Sequence, residues 1–545
     1  MLTEEQLDVV YSNSDEILVN ACAGSGKTTT LYNFAEARKD KKILYLAFNR
    51  SMKEEAEERF KHLSNTEVRT IHSLAYRNVG YKYKDKLAFK YKAYQLAKDL
   101  DYDFRNEDDI ILISKVRELF NDFLRSKAMT IEEFMFTKSI EKDFTKKKIL
   151  ELLNKLFKIK SDTSLEVKVT HNFYLKLFQL SKPDLSRYYD LILLDEAQDI
   201  NEVIIDIFQK QPIDKVAVGD SNQQIYAWNG AINALDKLDG NNYFLSNSFR
   251  IGTDLANICN LILKDFKKDR MTIKGKNENQ VIAKVDKNQR YAKLCRTRAM
   301  VFDNAVENIK ADNTIFFEGG VNSYHFDTFT EAYRFSQGKS TRDPLLAPFN
   351  DYQELEKYAE HTDDLELKFL IKIVDKYEEK IPGYVKKIKN SAIAYKDYAD
   401  IILSTLHRAK GLEYKQLILE DDFVNLNLAK RVFENDYPSF KNKFSEEIHI
   451  IYVALTRAKG ILELNKNIEK YIFSDDSPDL NNVSLEELKK VKGIGKQTAK
   501  KIIAYRDKKE KIEDITELKE ISGIGSSVID KINKYFKVDW GDSHK

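Results

Sequence analysis

Residues 21–28 read ACAGSGKT, and residues 193–199 read LLDEAQD. In the first segment the small residues Ala23, Gly24, Ser25 and Gly26 follow an apolar stretch (Ile17, Leu18, Val19) that predicts a strand. They precede Thr28, Thr29 and Leu31, which predict the start of a helix. Such a turn lets backbone N–H groups close on phosphate oxygens at the positive end of the helix. Lys27 then reaches the β- and γ-phosphates, and the Thr28 hydroxyl ligates magnesium. In the second segment the apolar run from Tyr189 to Leu194 has the length of a central parallel strand. Asp195 at its carboxyl end is expected to hold the magnesium through water, and Glu196 to polarise the attacking water as general base. Taken alone, Asp195 also reads as an ordinary helix cap. Together the two segments imply ATP and Mg2+ as cofactors and hydrolysis of the triphosphate.

Positioning these groups takes strands that alternate with helices. At 545 residues the chain is too long for one core. The expected fold class is α/β, with two parallel-sheet nucleotide-binding domains, a helical insertion in each, and a small all-α module at the end. The first domain is expected at residues 1–79 and 166–245, with its helical insertion at 80–165. The second is expected at 246–303 and 396–472, with an insertion at 304–395 that contains a turn at Gly319 and Gly320. A polar, acidic stretch over 473–483 reads as a linker before a module at 484–540. The 89 basic and 87 acidic residues nearly cancel, so any nucleic-acid contact must come from local clusters. Cys22, Cys259 and Cys295 are scattered without metal-ligand spacing, so no structural metal or disulfide framework is expected. The first residues lack an apolar core, and no apolar run approaches the ~20 residues of a bilayer span. The expectation is a soluble, cytoplasmic protein with no membrane partner.

Further motifs fall in order: Gln6 in LTEEQ, LYLAFNR at 44–50, TIHSL at 70–74 and GDSNQQIYAWNGA at 219–231. LSNSFR at 245–250, TLHRAKGLE at 405–413 and YVALTRAK at 452–459 complete the series. The series resembles superfamily 1 DNA helicases of the UvrD/Rep/PcrA type. The segments THNFYLKLFQLSKPDL (170–185), GDSNQQIYAWNGAINAL and FFEGGVNSY (316–324) resemble the helicase core of the F-box DNA helicases. No F-box is evident, so no ubiquitin-ligase role is carried over.

The resemblance implies two RecA-like domains and roles for particular residues. Gln6 would read the adenine edge, and Ala23 through Thr29 would line the phosphates, with Ala21 standing where the pattern usually has glycine. Gln223 would sense the γ-phosphate, Arg250 and Arg457 would reach it as fixed, forked cations, Glu413 would contact the sugar, and Phe249 would stack on adenine. Toward DNA it implies Phe48, Asn49, Thr70, His72, Tyr226, Trp228, Thr405 and His407. Aromatic rings three and five residues beyond Gln223 would stack on successive bases and move with that sensor. Phe48, Trp228 and His407 are equally of types that fill a core. The run AKGLE resembles the 3′-to-5′ branch of the superfamily.

Residues 488–502 (LKKVKGIGKQTAKKI) and 518–532 (LKEISGIGSSVIDKI) repeat with a period of thirty. The repeat resembles a tandem helix-hairpin-helix domain. It implies DNA phosphate contact through Gly493, Gly495, Lys496, Gly523 and Gly525, while a protein-binding module is the other reading. The expected function is an ATP-dependent DNA helicase or translocase, 3′-5′ by the resemblance of its branch, acting on single-stranded and partial-duplex DNA in repair, recombination or defence. The alternative is an ATP-switched DNA-binding or protein-displacing translocase working with a partner such as a nuclease.

Overall fold

Runs of Ile, Leu and Val, each closed by a polar or glycine-rich loop, fold as the strands of parallel sheets. The computed structural model describes residues 2–88, 91, 93–102, 107–139, 145–227, 230–267, 271–362, 364–434, 438–472, 480–489, 491, 494–509, 511–512, 514–525, 528–529, 531–532 and 536. Part of the expected linker and the end of the expected C-terminal module therefore lie outside the described residues. The chain divides into two units. Unit 1 comprises Met1–Ile282, Leu406–Gln416 and Asn442–Leu462, and unit 2 comprises Ala283–Thr405, Leu417–Lys441 and Glu463–Lys545.

Unit 1 is built on β1 (Glu16–Ala21), β2 (Ile43–Ala47), β3 (Thr66–Thr70), β4 (Leu191–Leu194), β5 (Asp214–Gly219) and β6 (Asn241–Leu245), in the sheet order β3–β2–β4–β5–β1–β6. Every pairing in it is parallel; Val19 of β1, for example, registers with Val218 of β5 and Tyr243 of β6. Both faces are covered. One core gathers Ile17, Val19, Leu31, Phe34, Tyr45 and Leu193, and the other Leu44, Leu46, Leu74, Leu175, Ile192 and Ala217. Because the strands run the same way, their carboxyl ends share one edge, where ligands of such sheets bind. The helices Ala93–Leu100, Glu107–Arg125, Ile131–Phe136 and Lys146–Ser161 form a separate core around Phe120, Phe123, Leu153 and Leu156. The short strands β7 (Asn247–Ser248) and β8 (Lys274–Gly275) pair with each other. β9 (Val281–Ile282) belongs to the same unit.

In unit 2, β10 (Tyr291–Cys295) lies between β12 (Ile401–Thr405) and β13 (Tyr414–Leu419), and β11 (Ile315–Phe317) flanks β12. These pairings are also parallel. The β10–β13 pairing runs through Leu417, Ile418 and Leu419. The last strand, β14 (Ala458–Glu463), pairs with β9 through Ile461 and Leu462. The helix Arg298–Lys310 follows β10, and its Phe302 packs on Phe326 and Phe329 at ring separations of 5.5 and 4.9 Å.

The C-terminal residues form a small apolar core whose members repeat every thirty residues. Leu488, Val491, Ile494, Ala499 and Ile502 of the first half match Leu518, Ile521, Ile524, Ile529 and Ile532 of the second. Among the described residues no helix is long and apolar enough to cross a membrane. None of their His, Cys, Asp and Glu side chains cluster in threes or more to hold a metal ion.

Candidate active site

The loop after β1 turns on two glycines. Gly24 (φ 74°) and Gly26 (φ 81°) adopt the left-handed backbone that side chains disfavour, and Gly26 caps the helix Lys27–Glu36. The walls leave no room for more: a Cβ on Gly24 would lie 2.4 Å from the Cβ of Arg250, and one on Gly26 would lie 2.8 Å from Nε2 of Gln6. Ser25 is buried, and its hydroxyl has no hydrogen-bond partner. Lys27, Thr28 and Thr29 occupy the first turn of the helix. Backbone donors, the helix end and a lysine make this a cradle that fits a nucleotide phosphate chain.

Lys27 forms an ion pair with Glu196 at 2.9 Å. Burial works against the ammonium, but Glu196, Asp195 and Asp220 outweigh it and hold its pKa above the usual lysine value. Asp195 follows β4. Its Oδ2 accepts from the Tyr45 hydroxyl at 2.5 Å, and its Oδ1 accepts from the Glu196 backbone N–H at 2.8 Å. Burial, with the neighbouring Glu196 charge, pushes the Asp195 carboxyl up, while Lys27 and Lys410 overcome burial and hold Glu196 down. Glu196 sits at φ 54°, a conformation costing a non-glycine residue about 1–3 kcal/mol and concentrated at functional sites. The Gln198 amide donates to Glu196 Oε2. The two carboxylates thus differ in charge state: Glu196 is held ionised beside Lys27, while burial favours the protonated form of Asp195. Thr28 at the helix start and Asp195 at the strand end are the oxygen donors that fit Mg2+.

The Gln223 amide donates to Asp220 at 2.7 Å and accepts from Arg457 at 3.4 Å. Arg457 is 1 % exposed, bonded to the carbonyls of Val453 and Leu412, and burial pushes it down to about 9. The guanidinium of Arg250 lies on Glu413, with distances of 2.8 Å from Nε and 2.6 Å from Nη2, and Lys459 adds a second cation to that carboxylate. The segment carrying Arg250 is pinned to the phosphate loop: Phe249 N–H donates to Gly24 O at 2.9 Å, and Ser248 Oγ to Ala23 O at 2.6 Å. Residues 246–282 belong to unit 1. The Phe249 ring is half exposed. Gln6 closes a capping box with Thr3, whose N–H donates to its Oε1, and its Nε2 donates to Ser25 O in the loop at 3.1 Å.

The residues expected to face DNA divide into those at the carboxyl edge of the unit 1 sheet and those elsewhere. Phe48 and Tyr226 stack at 5.9 Å with planes 18° apart, and Tyr226 lies 6.4 Å from the His407 ring. Phe48 and Tyr226 border a cavity of about 190 Å3 that also meets Asn49, His72, Arg125 and Asn172. Asn49 caps the helix Arg50–Phe60 by accepting from Met52 N–H at 2.9 Å, and Thr70 forms a capping box with Ser73. Burial, with His171 nearby, pushes His72 down to about 4, and its Nδ1 has no partner. Thr405 ends β12 in unit 2, nearly buried. Trp228 and Gly493 lie outside the described residues.

In the C-terminal repeat, Gly495 and Gly525 each have open space where a Cβ would be. Gly523 has φ 91°, and Lys496 begins the helix Lys496–Lys509, exposed. Each half turns the same way: Ile494 N–H donates to Val491 O, and Ile524 N–H to Ile521 O.

Tyr45, Asp220, Tyr452 and Lys410 were given no role by sequence reasoning, although all four lie inside the motifs. Asp220 is fully buried and accepts from Asn222 N–H, Gln223 and the Tyr452 hydroxyl. That hydroxyl in turn accepts from Ala23 N–H at 3.1 Å. The signal available was position alone, since each stands one to several residues from a motif residue already singled out.

Comparison with known proteins gives two family matches and three relatives. The UvrD/REP helicase N-terminal domain family matches residues 2–243, and the helix-hairpin-helix motif family matches residues 478–537. The chain is 32% identical over 508 residues to F-box DNA helicase 1 of Gallus gallus, covering 86% of this chain and 49% of that protein. It is 28% identical over 522 residues to F-box DNA helicase protein 1 of Schizosaccharomyces pombe, covering 86% and 58% respectively. It is also 23% identical over 260 residues to the ATP-dependent DNA helicase PcrA of Leuconostoc citreum. The chain thus spans about half the length of the first two relatives.

Proposed function

We propose that this chain, whose residues 2–243 match the UvrD/REP helicase N-terminal domain and whose residues 478–537 match the helix-hairpin-helix motif, is an ATP- and magnesium-dependent DNA motor of the UvrD/REP type. One observation carries the reading: the phosphate cradle, the Asp195–Glu196 pair and the Phe48–Tyr226 stack share the carboxyl edge of a single sheet. Gln223 joins them, with its side chain on Asp220 and Arg457 and its backbone three residues from Tyr226.

In this reading Lys27 and the loop N–H groups hold the β- and γ-phosphates, with Arg250 and Arg457 placed to meet charge that grows on them. Glu196, kept ionised by Lys27 and Lys410, takes the proton of the attacking water. Asp195 and Thr28 would hold Mg2+, which supplies charge neutralisation on the phosphate oxygens. Phe249 stacks on the adenine, Glu413 meets the sugar, and Gln6 fixes the loop by its bond to Ser25 while facing the adenine edge. On the DNA side, Phe48, Tyr226 and Trp228 offer rings for base stacking. Asn49, Thr70, His72, Thr405 and His407 meet the strand backbone, and Gly495, Lys496, Gly523 and Gly525 grip phosphates of the substrate.

The RecA-like domains take residues 1–79 with 166–245 and 246–303 with 396–472, and the remaining segments serve as insertions, linker and hairpin module. Travel is 3′ to 5′, on the resemblance of AKGLE, and the substrate is a single strand or a partial duplex. Lys27→Ala tests the reading: it abolishes ATP turnover both with and without DNA. Turnover that single-stranded DNA still stimulates in that variant would remove the assignment of the ATP site.

A further inference from the structure

We propose that Lys410 is a positioning residue that locks the acidic catalytic turn to the aromatic DNA platform, so that the nucleotide site is felt at Tyr226. The inference rests on the motor reading above and names the part that couples its two halves.

One ammonium meets three structures. Lys410 Nζ pairs with Asp199 Oδ2, donates to the Gln223 carbonyl at 2.7 Å, and stands 4.8 Å from the centre of the Tyr226 ring. Asp199 belongs to the turn that begins at Glu196: its N–H donates to Glu196 O at 3.0 Å, and Gln198 spans both carboxylates. The turn is short and bonded across, so a shift of Glu196 shifts Asp199. Gln223 contributes its carbonyl to Lys410 while its side chain faces Asp220 and Arg457. Tyr226 carries the same connection on to Phe48 by stacking and to His407 O through its hydroxyl at 3.4 Å.

The electrostatics make the contact an obligatory one. The Asp199 side chain is fully buried, and its other oxygen, Oδ1, has no hydrogen-bond partner. Lys410 is the cation that pairs with it among the described residues, and the lysine side chain is itself only 11% exposed. Removing one member of a buried pair leaves an uncompensated charge, whereas keeping both contributes little net stability and fixes geometry. A lysine placed this way serves position rather than fold stability. The ring of Tyr226 gains a cation on its face, which strengthens as water is excluded.

The experiment compares wild type with Lys410→Met, Lys410→Arg, Asp199→Asn and the Lys410→Met/Asp199→Asn pair. It reads ATP turnover with and without single-stranded DNA, affinity for a fluorescent ATP analogue, and thermal unfolding. The stimulation by DNA is expected to fall about tenfold in Lys410→Met, within the usual span of couplings between sites. Affinity for the analogue stays within about twofold, since a coupling expressed in turnover need not be mirrored in binding. Lys410→Arg recovers most of the stimulation, and the double variant is no worse than Lys410→Met, the non-additivity of partners in one network. If Lys410→Met unfolds, Lys410→Arg and Asp199→Asn carry the test: the first must keep stimulation and the second must lose it. Stimulation at the wild-type level in Lys410→Met or Asp199→Asn overturns the Lys410 proposal alone. Loss of analogue affinity together with stimulation, unrelieved by arginine, also overturns it. Wild-type turnover that ignores DNA overturns the motor reading and this proposal together.

Discussion

Gly24 is where residue chemistry and backbone geometry meet most tightly. Its positive φ and the 2.4 Å between a built Cβ and Arg250 mean that Gly24→Ala must open the cradle. A strain of about 1–3 kcal/mol is expected, with a raised KM for ATP and a lowered melting temperature, both measurable on one preparation. His449 supplies the pH prediction. Its Nδ1 lies 2.8 Å from the Gln224 carbonyl, so that nitrogen carries the proton, and Nε2 is buried without a partner. Burial, reinforced by Lys267, pushes the ring from 6.5 down to about 3. Between those values the unfolded chain takes a proton that the folded one refuses, so stability is lost as pH falls below about 6.5. Urea denaturation should show His449→Gln losing about 2 kcal/mol less than wild type between pH 7.5 and pH 5. Legibility at this scale followed chemistry rather than partnership. Lys27, Asp195 and Glu196 could be read because phosphate and water chemistry demand those types. Tyr45 and Tyr452 could not, because a hydroxyl's partner is set by packing between elements distant in sequence.

At the scale of elements, parallel strands explain why motifs separated by hundreds of residues converge: each follows the carboxyl end of a strand or packs against one that does. The N-terminal helix Glu4–Val10 does more than carry Gln6. Its Glu5 accepts from Ser246 N–H at 2.7 Å and Asn247 Nδ2 at 3.1 Å, holding the segment that bears Phe249 and Arg250. Glu5→Ala should cost about 1–3 kcal/mol in that anchor and raise the KM for ATP severalfold, with kcat less affected. Steady-state kinetics separate those effects. The strand ends and the thirty-residue repeat were legible because period and punctuation encode them. The bond from Lys501 to Ser522 O, which ties the two hairpins together, was not, since nothing local in the sequence marks it.

For the whole molecule, charge bears on the proposed hold on DNA. A net charge of +2 gives little general attraction, so on that reading the hairpin module and the sheet edge supply affinity locally. Removing residues 478–545 should weaken DNA binding and flatten its dependence on salt, leaving affinity for nucleotide unchanged. Titration at several salt concentrations reads both effects. The most direct test of the account is strand separation by the full chain, with ATP and magnesium, on partial duplexes carrying either a 3′ or a 5′ single-stranded tail. The account predicts unwinding from the 3′ tail and none from the 5′ tail. Hydrolysis that is indifferent to DNA, with neither duplex opened, would contradict it.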